Sequence, residues 1–139
     1  THRTGEFLDR LSVYHDRLCI ENMDKTNNQG VSLTDFSELF DSYPDLGMTL
    51  DLQHAFEHDT TLAYGRNLIN LFLPRIRYLH VSGENEEKNH ALLKDSINQN
   101  AIIELMRSVL DRKDVPIVLE GEFSTVQDLK EEIAFIRSL

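Results

Sequence analysis

The chain has 139 residues, 40% hydrophobic and 27% charged, which suits one globular domain with a real core and excludes an intrinsically disordered chain. Its 14 Lys and Arg stand against 24 Asp and Glu, so a formal charge of -10 disfavours a generic grip on nucleic acid or anionic lipid and favours binding of cations. No apolar run approaches the roughly 20 residues that cross a bilayer. The lone Cys19 rules out an internal disulfide, so a soluble, cytoplasmic protein with no membrane partner is expected.

In chain order, residues 4–15 read as an amphipathic helix. Residues 18–23 form the first short apolar run and read as a buried strand. Ser32, with Asp35 three places on, resembles a capping box that opens a helix, and Pro44 falls where that helix has ended. Residues 48–52 are the second strand. Leu62, Leu68, Ile69, Leu71 and Phe72 then recur at helical spacing up to Pro74. Residues 76–81 are the third strand, followed by a polar, acidic loop over residues 83–89, of a kind that is usually functional or mobile. Ile102, Ile103, Leu105, Met106, Val109 and Leu110 line one face of the next helix. Residues 115–119, around Pro116, are the fourth strand, and Ser124 with Gln127 reads as a second capping box. A helix followed by four strand–helix pairs, at about 30-residue spacing, predicts an α/β fold with parallel strands and right-handed crossovers in a single domain over residues 1–139.

A strand of such a sheet is covered on both faces, so a charged residue within it needs an explanation. Each run has one near its C-terminal end: Glu21, Asp51, His80 and Glu120. The intervals of 30, 29 and 40 residues are close to one strand–helix unit each, so the four side chains are expected on neighbouring strands at the end where parallel α/β folds build their sites. Three carboxylates held together repel one another and favour a cation. Three oxygen donors and one imidazole suit one divalent metal ion, Mn2+, Mg2+ or Co2+ in preference to Zn2+. Glu122, two residues beyond Glu120 and on the same face, is the alternative fourth ligand. His15 and His58 read as ordinary exposed histidines.

Four motifs in this order resemble the xylose-isomerase-like (β/α)8 TIM barrels, a family of sugar and sugar-phosphate isomerases and epimerases and of type IV apurinic endonucleases. They are I-E-N-M at residues 20–23, L-D-L-Q-H-A at 50–55, Y-L-H-V-S-G at 78–83 and P-I-V-L-E at 116–120. The resemblance spans nearly the whole chain but only the C-terminal four strand–helix units of that barrel. It implies Glu21, Asp51, His80 and Glu120 as metal ligands, with Glu21 and Glu120 also catalytic, moving a proton through an enediolate of a small sugar substrate. It further implies that His54, in the D-x-x-H motif, touches substrate or metal, and that His90 meets a substrate phosphate or a second metal.

Three functions follow from this reading. The first is a metal-dependent sugar or sugar-phosphate isomerase or epimerase. The second is an endonuclease of the type IV kind, disfavoured by the net charge and by Lys88, which stands where the nucleases of the family place an aspartate two residues before the histidine matched to His90. The third is a non-catalytic half-barrel module for binding or assembly. A complete barrel takes about 250 residues. Four strands leave two open edges, so an N-terminal half-barrel or a second copy of the chain is expected to cover them. The opening Thr1 and the leading helix favour a piece of a longer protein.

Overall fold

The computed structural model describes residues 2–27, 30 and 32–139. All four apolar runs become strands: β1 (Cys19–Glu21), β2 (Gly47–Asp51), β3 (Ile76–Val81) and β4 (Ile117–Leu119). They form one sheet in the order β1-β2-β3-β4, and every neighbouring pair is parallel. The helices are α1 (His2–Arg10), α2 (Leu33–Ser42), α3 (Leu52–His58), α4 (Ala63–Phe72), α5 (Gln99–Leu110) and α6 (Val126–Arg137). The fold is α/β, a four-stranded parallel sheet flanked by helices.

Strand alternation divides the sheet into two unlike faces. Met48, Leu50, Leu79 and Val81 are fully buried, and with Ile20, Ile117 and Leu119 they join Phe36 and Phe40 of α2, Leu68 and Ile69 of α4, and Ile102, Leu105 and Val109 of α5 in one core. The alternate residues Glu21, Thr49, Asp51, Tyr78, His80 and Val118 lie on the other face. There the apolar side chains are not covered: Tyr78 is 43% and Val118 40% exposed.

The local structure departs from expectation in three places. The leading helix stops at Arg10, and a 3-10 helix, Ser12–Arg17, takes over. The Leu8 carbonyl accepts the Leu11 N–H at 3.0 Å and His15 Nε2 at 2.8 Å, which breaks the α-helical ladder at that turn. One helix was expected between β2 and β3, and there are two. Asp51 caps α3 directly at the strand end, Asp59 accepts from the Thr61 and Tyr64 N–H groups beyond it, and Leu62 turns the chain at a φ of 65° before α4 begins. At α6 the capping box is Thr125 with Asp128, one residue later than Ser124 with Gln127. The Asp128 carboxylate accepts from the Thr125 N–H at 2.8 Å, whereas the Gln127 amide donates to Glu131. The Ser32 cap forms as expected, with its hydroxyl accepting from the Asp35 N–H at 3.0 Å.

At the N-terminal end of the strands the β2–β3 register shifts. Met48 pairs with Ile76 and Thr49 with Tyr78, which leaves Arg77 as an extra residue. Its guanidinium reaches back to donate to the Asp16 and Asp45 carbonyls. The path crosses Gly47, where a Cβ would fall 2.5 Å from Arg77 Cδ and 2.8 Å from Cys19 Sγ, so the side chain fits only over a glycine.

Candidate metal centre

The strand register carries the four charged residues to one place. Glu21 pairs with Thr49, two residues before Asp51, and so projects from the same face. Asp51 pairs directly with His80. His80 pairs with Val118, two residues before Glu120. All four therefore emerge at the C-terminal ends of the strands on the open face. Among the described residues, Glu21, Asp51, His80 and Glu120 each offer a ligand atom, and these atoms lie within 4.8 Å of one another.

Within this group His80 Nδ1 lies 2.8 Å from Glu120 Oε1 and 3.3 Å from Glu21 Oε1, so the two glutamates flank one imidazole nitrogen. That nitrogen is buried and, close as Glu120 lies, the two make no well-aligned hydrogen bond; Asp51 Oδ2 is buried likewise, with Glu120 beside it and His54 Nδ1 at 3.8 Å. The other Asp51 oxygen is fully engaged, accepting from the His54 N–H at 2.7 Å as the cap of α3. Asp51 is 1% exposed, and burial pushes its carboxyl up to about 7. The charge and backbone N–H of His54 oppose that rise, while Glu120 and Glu21 add to it.

His54 sits beside the group. Its Nδ1 lies 3.7 Å from Glu21 Oε1, 3.8 Å from Asp51 Oδ2 and 3.0 Å from the Asn22 carbonyl. Burial works against its protonated form, but Asp51, the Asn22 carbonyl, Glu21 and Glu57 outweigh burial and raise its pKa above 6.5. His90 meets His54 edge to face at 5.5 Å, and its Nδ1 is 3.0 Å from Ser82 Oγ. The loop after β3 delivers it there through paired bonds between Gly83 and Ala91 and a bond from the Glu122 N–H to the His90 carbonyl, so this loop is tied down along its length.

Glu122, the alternative ligand, lies elsewhere. Its carboxylate pairs with Lys88 at 2.8 Å on the exposed surface, and that ammonium holds it below the usual carboxylate range. His15 bonds to the Leu8 carbonyl and packs edge-on against Tyr43, and His58 stacks on Tyr64, so both act within the scaffold.

Sequence reasoning missed Asn22, which is 0% exposed and bonded to Asp51 at both its N–H and its carbonyl. The usable signal was alternation. Asn22 follows Glu21 and so points away from the open face, into a layer where an apolar residue belongs.

Comparison with known proteins finds no matching family model and no significant match among curated proteins or solved structures. The geometry itself is that of a compact acidic cluster with one imidazole, suited to holding a cation or to exchanging protons. Among the described residues no helix is long and apolar enough to cross a membrane.

Proposed function

We propose that Glu21, Asp51, His80 and Glu120 hold one divalent metal ion, and that the chain forms the C-terminal half of a xylose-isomerase-like (β/α)8 barrel. Its substrate would be a small sugar or sugar phosphate, isomerised or epimerised by proton transfer between neighbouring carbons. The observation that carries the reading is the convergence of three carboxylates and one imidazole, with Asp51 Oδ2 and His80 Nδ1 buried among them. Carboxylates crowded this closely repel one another, and a bound cation would offset that repulsion and meet both buried atoms at once.

The spacing fits. Ligands at about 2.1 Å in an octahedral shell sit about 3 Å apart when adjacent and about 4.2 Å apart when opposite. Separations of 2.8 and 3.3 Å are near the adjacent spacing, and the outer limit of 4.8 Å is somewhat wider than the opposite one, so the cluster would draw in slightly on an ion. A tetrahedral shell would hold all four at nearly one distance. The oxygen-rich donor set therefore favours Mn2+, Mg2+ or Co2+ over Zn2+.

When bound, such an ion would polarise a carbonyl and the adjacent hydroxyl and stabilise negative charge developing on oxygen. Glu21 and Glu120, both close to His80 Nδ1, would be the groups that take a proton from one carbon and return it to its neighbour. His54 and His90 form the wall next to them, where substrate oxygens or a phosphate would be met. The uncovered Tyr78 and Val118, with the edge strands β1 and β4, call for an N-terminal half-barrel or a second copy of the chain over the open face.

The test is metal content together with a screen for aldose–ketose isomerisation, on the chain and on any longer protein that contains it, with Glu21→Gln and Glu120→Gln alongside. One equivalent of Mn2+ or Co2+ and loss of turnover in both variants are expected. Failure to bind any divalent metal, or full activity in both variants, would overturn the reading. Cleavage of an abasic-site oligonucleotide would replace it with the nuclease.

A further inference from the structure

We propose that Asn22 is a positioning residue for this centre, holding Asp51 in place and fixing which nitrogen of His54 carries the proton. The proposal rests on the metal reading above for its consequence, but not for its geometry. The β1–β2 ladder ends where Glu21 pairs with Thr49, short of Asp51. The Asn22 side chain continues it. Its Nδ2 donates to the Asp51 carbonyl at 2.9 Å, and its Oδ1 accepts from the Asp51 N–H at 2.8 Å. The carboxamide thus stands in for the peptide group of a neighbouring strand and satisfies both backbone groups of a buried residue.

The substitution lets the main chain part company with β2 just where Asp51 must stay fixed. At Met23 the backbone has already turned to pair with another segment, its N–H donating to the Gly30 carbonyl at 2.9 Å. With its backbone held by Asn22 and one carboxylate oxygen held by the His54 N–H, Asp51 keeps only Oδ2 for the cluster. Aspartate at position 22 would lack the donor and bring a fourth carboxylate, and alanine would remove the side-chain hydrogen bonds to both Asp51 backbone groups.

The same residue sets the His54 ring. Asn22 O lies 3.0 Å from His54 Nδ1, and a carbonyl can only accept, so the proton of neutral His54 resides on Nδ1. Nε2 is then the acceptor nitrogen of the ring, and Nδ1–H is the group nearest Glu21 and Asp51. The clamp on Asp51 keeps that carbonyl in place, so loss of the side chain should reach both groups.

The experiment measures Mn2+ affinity of the chain by calorimetry, with the His54 tautomer read from ring 15N shifts in the chelated protein. Asn22→Ala and Asn22→Ser are compared with Val109→Ala, a core truncation on α5 that lowers stability without touching the cluster. Asn22→Ala should weaken Mn2+ binding about 10–100-fold while Val109→Ala stays within about twofold of wild type. Wild type should show the Nδ1–H tautomer and the Asn22 variants a mixture. Asn22→Ser carries the same expectation if the alanine variant does not fold. Affinity in the Asn22 variants matching Val109→Ala, or an Nε2–H tautomer in wild type, would overturn the proposal. If wild type binds no Mn2+, the metal reading fails, and the tautomers of the chelated proteins still decide the role of Asn22.

Discussion

Asp51 and His80 stand opposite each other in the β2–β3 register, and each keeps one buried side-chain atom without a well-aligned hydrogen bond. Asp51 is buried beside two glutamates, an arrangement that disfavours its charged form. The pH dependence of the metal-free protein should report that cost. The Asp51 carboxyl is raised by burial from 3.8 to about 7, so the folded state binds this proton more tightly than the unfolded chain does. Its contribution to stability is fully present below pH 3.8 and is lost as pH rises to about 7. His54, also raised, acts in the same direction from 6.5 upward. Urea unfolding of chelated protein should therefore show lower stability at pH 8 than at pH 5, with Asp51 accounting for at most about 3 kcal/mol of that difference. Asp51→Asn, which still caps α3, should flatten the profile, and saturating Mn2+ should remove most of the slope. A stability that climbs with pH over this range would contradict the assignment.

Alternation alone would give Glu120 and Glu122 one face, but β4 ends at Leu119 and the two differ in surroundings. Glu120 lies 2.8 Å from His80 Nδ1, and Glu122 is occupied by Lys88 on the surface. Calorimetric titration with Mn2+ should find Glu120→Gln weakened by at least about tenfold and Glu122→Gln within about twofold of wild type, since an exposed ion pair contributes little. The reverse order would move the fourth ligand outward.

The contrast between these residues shows what was legible. Four charged residues in otherwise apolar runs were visible because a buried strand tolerates almost none, and the sheet places all four as that argument requires. The helix α3 was not visible. It has only seven residues, and its cap is Asp51, already read as a strand-end group, so one residue performs two tasks that the pattern treats separately. Asn22 was hidden for a related reason: a polar residue after a strand looks like the start of a loop, and its burial depends on a partner 29 residues away. Arg77 was equally silent, because a bulge shifts register without changing composition.

That bulge yields a prediction at the opposite end of the sheet. Gly47 leaves room for the Arg77 side chain, and a Cβ there would fall 2.6 Å from Arg77 Nε. Gly47→Ala should lower stability by about 1–3 kcal/mol through overpacking. In an Arg77→Ala background the same change should cost much less, because the side chain that it displaces is gone. A double-mutant cycle by denaturant unfolding measures this, and additive effects would show that the two residues do not compete for the same space.

Glu132 of α6 is 1% exposed, and the partners that hold its carboxylate are backbone N–H groups. Its carboxylate accepts from the Leu93 N–H at 2.6 Å and the Lys94 N–H at 3.1 Å, holding the short 3-10 helix Leu93–Asp95 that follows the His90 loop. A helix start leaves N–H groups without intrahelical partners, and here a side chain 38 or 39 residues away supplies the acceptors. Glu132→Ala would strip both. At about 1–3 kcal/mol for each buried donor left unsatisfied, the variant should lose roughly 2–4 kcal/mol, allowing for partial rescue of Lys94 by water. Glu132→Gln retains one acceptor oxygen and should fall between the two. Hydrogen exchange at Leu93 and Lys94 should accelerate in Glu132→Ala well beyond what the global loss of stability explains, because opening is confined to that turn. Exchange that accelerates uniformly across the chain would instead make Glu132 a general support of the core and remove its specific role in anchoring the loop.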